Sequence, residues 1–91
     1  MPIPRSTAPF FQEYDFESLD VQAHSNLIIE RILAYGSRAE VRWLVQTYGW
    51  EAIRAWLERS GSTRLPWSRY HLWCIVYAVA EKEQPKGIWQ H

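Results

Sequence analysis

A single cysteine in 91 residues excludes an intrachain disulfide, so a reducing cytoplasm is the expected setting. Glycine is nearly as scarce, and four scattered residues leave no place for a phosphate-cradling loop. Neither H-E-x-x-H nor G-x-S-x-G occurs. A zinc site needs several protein ligands, whereas His24 and His91 lie far in sequence from His71 and Cys74. The sequence therefore predicts no metal and no cofactor. Long hydrophobic runs are also missing: the longest, Leu72 to Ala80, has nine residues, against roughly 20 for a bilayer span. No basic segment followed by an apolar stretch opens the chain, so neither export nor membrane insertion is predicted. Net charge is absent as well, with ten Lys and Arg against ten Asp and Glu, and no global field draws the chain to nucleic acid or membrane.

What the sequence has is apolar and aromatic side chains. Hydrophobic residues make up 47% of it and include six tryptophans, enough for one small core rather than a disordered chain. Charge is unevenly spread. Residues 1–30 hold one arginine against five carboxylates, and residues 31–69 hold seven arginines against three. The two halves either pair within the fold or face different partners.

Pro2, Pro4 and Pro9 predict a flexible segment over residues 1–9, because proline fixes φ and disfavours helix in the residue before it. One helical domain is expected over 10–83 and a flexible tail over 84–91. Phe10, Phe11, Tyr14, Phe16 and Leu19 are too irregularly spaced for a strand or helix. They read as an aromatic arm across the helices, with one turn near Phe16 to Leu19. Ile28, Ile29, Ile32 and Leu33 recur at helical spacing, and Gly36 closes that helix as a left-handed cap. Ser37 and Glu40 form an S-x-x-E capping box for a second helix, with Val41, Leu44, Val45 and Tyr48 inward, Trp43 off the stripe and Gly49 as terminator. A third helix carries Trp50, Ile53, Trp56 and Leu57 and stops at Ser60-Gly61-Ser62. The last begins at Pro66 and runs to Glu81 or Lys82, apolar all round from Leu72. The fold class is all-α, about four short helices with an aromatic N-terminal arm.

Candidate chemistry is sparse. His71 and Cys74 share a helical face at i, i+3, yet a thiol inside an apolar run is inert. The carboxylates at Glu13, Asp15 and Glu17, and at Glu81 and Glu83, sit at the wet ends of the chain, where acid–base work has no pocket. The short link between the second and third helices raises a helix-turn-helix, but it is tighter than that motif's roughly 3–4-residue turn. Glu51 and Glu58 also share a face with Arg54 and Arg59 and repel phosphate. Trp and Arg dominate protein–protein hot spots. Trp43, Arg42, Arg54 and Arg59 are therefore the candidate partner-binding residues, unless Trp43 packs beneath the aromatic arm. The apolar run Leu72 to Ala80 is either the central core helix or half of an intermolecular contact, so a homodimer or a stable hetero-complex is expected.

Three segments are specific enough to compare: Phe11-Gln12-Glu13-Tyr14-Asp15-Phe16-Glu17-Ser18-Leu19-Asp20; Ile28-Ile29-Glu30-Arg31-Ile32-Leu33-Ala34-Tyr35-Gly36; and Arg42-Trp43-Leu44 with Tyr48-Gly49. Over about residues 10 to 78 they resemble an uncharacterised family of small bacterial helical proteins, often encoded beside AbiEii-like nucleotidyltransferase toxins. The chain departs from that pattern at Leu72, where the family has Phe before Trp, and at Pro66-Trp67, where it has Ser-Pro. The resemblance implies a cytoplasmic, non-enzymatic antitoxin or accessory regulator whose partner is a nucleotidyltransferase-like toxin. It supplies no functional residues. The alternative is a DNA-binding regulator of helix-turn-helix type.

Overall fold

Prolines that break an α-helix are compatible with a tighter one, and the N-terminus uses this. In the computed structural model, which describes residues 3–80, Arg5–Phe11 form a 3₁₀ helix with Pro9 inside it. The Thr7 backbone N–H and hydroxyl both donate to the Pro4 carbonyl, at 3.0 and 2.7 Å. Thr7 is fully buried, so helical structure starts earlier than the flexible 1–9 segment read from the prolines. The arm then drops Phe11 into the core and makes a second 3₁₀ turn, Phe16–Ser18, where the predicted turn lies.

Five α-helices follow. α1 is Ser25–Tyr35 and α2 is Arg38–Tyr48. α3 (Trp50–Trp56), a π-helical turn (Leu57–Gly61) and α4 (Ser62–Arg64) run on as one continuous stretch. α5 is Trp67–Val76. The fold is all-α, and among the described residues there is no strand. No helix among them is long and apolar enough to cross a membrane. The core gathers Phe11 from the arm, Ile28, Ile32 and Leu33 from α1, Leu44 from α2, Ile53 from α3, Leu57 and Tyr70.

Several sequence expectations need correction, each for a local reason. Gly36 closes α1 in an extended conformation, φ −76° and ψ 157°, not a left-handed one. It is needed because a Cβ there would lie 2.5 Å from the Ile32 carbonyl oxygen. Among the described glycines, Gly49 is the one with a positive φ, 90°. Gly61 does not end a helix: it continues right-handed through the π turn, and its missing Cβ leaves room for Leu57 and Tyr70.

α5 ends at Val76, well before Glu81. Val79 N–H bonds the Cys74 carbonyl at 2.9 Å and Ala78 N–H bonds that of Ile75 at 3.4 Å, with Ala78 at φ 56°. This is a Schellman cap with alanine where glycine is usual, and buried Val79 lies over buried Cys74. The tail expected over 84–91 lies outside the described residues.

Candidate functional site

A capping box sets the register of α2. Ser37 Oγ accepts the Glu40 N–H at 3.4 Å, and a Glu40 carboxylate oxygen accepts the Ser37 N–H at 2.8 Å. The Ser6 hydroxyl donates to the same carboxylate, tying the arm to α2. Burial pushes the Glu40 carboxyl upward, but the hydrogen bonds from Ser6 and Ser37 outweigh it and hold the group below its ordinary value. With Glu40, Val41, Trp43 and Leu44 buried, the other side of α2 presents Arg38, Arg42 and Val45.

α5 is fixed by its inner face. Leu33, at the C-terminal end of α1, accepts from Arg69 Nε at 2.9 Å and from Trp73 Nε1 at 2.7 Å, while the Gly36 carbonyl takes a second Arg69 N–H at 2.8 Å. A cation suits these free helix-end carbonyls, and the Arg69 guanidinium also lies over the Trp73 ring, 5.5 Å from its centroid. At the other end Arg54 donates to the Tyr77 and Ala78 carbonyls at 3.0 and 2.9 Å. Tyr77 is buried under Trp50, with ring centroids 4.3 Å apart. Burial pushes its phenol pKa up.

With α5 so held, its outer side is left open. Ile75 is 67% exposed, and Leu72, Val76 and Trp50 are each 43% exposed. Between α5 and the outer side of α2 runs a groove of about 550 Å³, floored by Trp73 and Val41 and edged by Arg38, Arg42 and Arg69. Arg38 and Arg42 stand one turn apart and make no ion pair with a described residue. No described carboxylate lines the groove. Chemically it can bury apolar side chains and accept negative charge at one edge.

Of the residues singled out from sequence, only Arg42 reaches this groove. Trp43 is a core residue, 8% exposed, edge-on to Tyr48 at 6.2 Å, with its indole N–H buried and unpartnered. Arg54 is occupied by the α5 carbonyls and by Glu58 at 3.6 Å. Arg59 lies in a separate recess, where it donates to Asn26 at 3.4 Å. Sequence reasoning missed Arg38, Trp50, Arg69, Leu72 and Val76. The signal was present in the Leu72 to Ala80 run, but a helix apolar all round does not say which side is covered.

The other candidates are quickly placed. Cys74 is buried while His71 is exposed, so the two do not present a common surface. Among the described residues no three His, Cys, Asp or Glu side chains are grouped to hold a metal. Gly49 alone joins α2 to α3.

Residues 7–57, from the arm to the start of the π turn, match the model of a family of unknown function, DUF6922. That span holds the α2 wall of the groove and stops short of α5. No curated protein and no solved structure matches the chain.

Proposed function

The chain belongs to that family of unknown function, and we propose that it is a non-enzymatic protein-binding module that docks a partner in the groove between α2 and α5. One observation carries the reading: Leu72 and Val76 line the groove at i, i+4 beside Trp50, each 43% exposed, next to two arginines that pair with no described carboxylate. Covering a large apolar side chain is worth roughly 1.5–3 kcal/mol. Three of them about half covered leave on the order of 2–4 kcal/mol for a partner to gain, a factor of tens to hundreds in affinity.

Family membership carries no activity. The finer role rests on the resemblance set out above: an antitoxin-like partner or accessory regulator in a bacterial toxin–antitoxin or defence operon, cytoplasmic, with a nucleotidyltransferase-like toxin as its partner. The test is co-expression with the product of the neighbouring gene. The reading expects a nucleotidyltransferase-like neighbour, a complex that survives gel filtration, and loss of that complex on Val76→Arg. A neighbour of another kind that forms no complex would refute it.

DNA binding is the second reading, favoured by Arg38 and Arg42, which stand one turn apart and pair with no described carboxylate. Phosphate would neutralise both arginines but cover none of the apolar stripe. On this reading affinity for the chain's own promoter falls steeply with salt, and no mobility shift at low salt would remove it.

A further inference from the structure

The groove also constrains the chemistry of what fills it, given the docking reading above. Its edge carries three arginines, and no described carboxylate lines it. Elsewhere Arg31 pairs with Glu13, Arg5 with Glu17 and Arg54 with Glu58, while Arg59 and Arg64 likewise pair with no described carboxylate but lie in a separate recess. Arg69 spends its N–H groups on helix-end carbonyls but keeps its charge. An occupant that covers Leu72, Val76 and Trp50 must also approach Arg38 and Arg42, and desolvating these cations without an anion is costly.

A second copy of this chain fits badly, because it would bring the same arginine edge against the first and like charges oppose each other across an interface. Nucleic acid would satisfy the arginines and leave the apolar stripe wet. The shape of the site narrows the choice further. α5 lines it with Leu72 and Val76 at i, i+4, and α2 with Val41 and Val45 at the same spacing. Two such ridges flanking a furrow are the arrangement into which a third helix packs.

We infer that the groove takes an amphipathic helix of a partner protein whose apolar stripe is bordered by carboxylates one turn apart, positioned to meet Arg38 and Arg42. Guanidinium groups suit this, since each can grip a carboxylate with two parallel N–H donors.

Two synthetic helical peptides with the same leucine stripe test the inference, one bordered by glutamates and the other by lysines at the same positions. Titrated into the full chain at low salt, with intrinsic tryptophan fluorescence and calorimetry as readouts, the glutamate peptide should bind about tenfold tighter or more, and the gap should shrink as salt rises. Arg38→Glu with Arg42→Glu should reverse the order. Should that variant fold poorly, Arg38→Gln with Arg42→Gln should abolish the preference. Val76→Arg should weaken both peptides.

Equal binding of the two peptides, still sensitive to Val76→Arg, would overturn the acidic preference and leave the docking reading standing. Binding indifferent to Val76→Arg would place the peptide elsewhere and overturn both. So would binding of neither peptide by a chain that is dimeric in light scattering, which would put a second copy in the groove. Binding of neither by a monomer overturns this inference alone, and the co-expression test then decides the docking reading. Competition between duplex DNA and the glutamate peptide would assign the arginines to phosphate and overturn the inference.

Discussion

The arm side and the groove side of this molecule are built from the same residue types and finished differently. On the arm side Arg31 donates to Glu13 at 2.6 and 3.0 Å and to the Phe10 carbonyl at 2.7 Å, while Phe11 and Thr7 vanish into the core. On the groove side Arg38 and Arg42 meet no described carboxylate and Ile75 is two-thirds exposed. On the arm side the chain pairs Arg31 and buries Phe11, although Tyr14 and Tyr35 stay exposed there. The other side lacks the anion and the apolar cover that would complete it.

The largest effect should come from the finished side. Phe11→Ala removes a ring that is 1% exposed and should cost about 3–5 kcal/mol in urea unfolding, a large part of the 5–15 kcal/mol or so that holds a domain of this size. A loss below about 1 kcal/mol would mean that the arm is not part of the core. Arg54→Ala comes next. It strips the donors from the Tyr77 and Ala78 carbonyls and should cost about 2 kcal/mol. Partner binding should survive it, whereas a docking role for Arg54 predicts the reverse.

Arg54 also illustrates what the sequence could and could not convey. Its place on a half-wet helix face was readable, but its pairing with carbonyls 23 and 24 residues away was not, because backbone acceptors leave no trace in residue identity. The start of α2 was fully legible, since Ser37 and Glu40 make a local signal. α1 was legible for the same reason, its stripe and its end lying within one stretch of chain. The π turn was not: Ser60-Gly61-Ser62 reads as a terminator, and only the approach of Tyr70 shows that the glycine is there for space. The inner stripe of α2 was legible, since Val41 and Leu44 are buried and Val45 and Tyr48 pack against the core; what the spacing did not show is that Trp43 turns inward as well and that Val45 also lines the groove.

Ala78 offers a smaller and opposite effect. Holding alanine at φ 56° is strained, so Ala78→Gly should raise the stability by about 1 kcal/mol in the same urea assay. A decrease would mean that the α5 cap is not formed as described. Acid distinguishes the two sides through Glu13, which the Arg31 guanidinium holds down to about 2 from an ordinary 4.5. Because the folded value lies below the unfolded one, the pair contributes fully above about pH 4.5 and its contribution is lost as pH falls toward 2. Glu13→Gln should flatten that part of the stability–pH curve. Arg38→Gln with Arg42→Gln, on the unpaired side, should leave it unchanged, and a shift of equal size in both variants would erase the contrast.

The central claim is that the outer side of α5 is uncovered in the isolated chain, and thermal unfolding of two variants tests it most directly. Val76 is 43% exposed and Val79 is 8% exposed, although both belong to the same apolar run. Val76→Arg should change stability by no more than about 0.5 kcal/mol, a shift of a few degrees at most. Val79→Arg buries an unpaired cation beneath the α5 cap and should cost several kcal/mol or prevent folding. Equal loss of stability in both variants would contradict the account, because it would mean that Val76 is core and the groove is already closed.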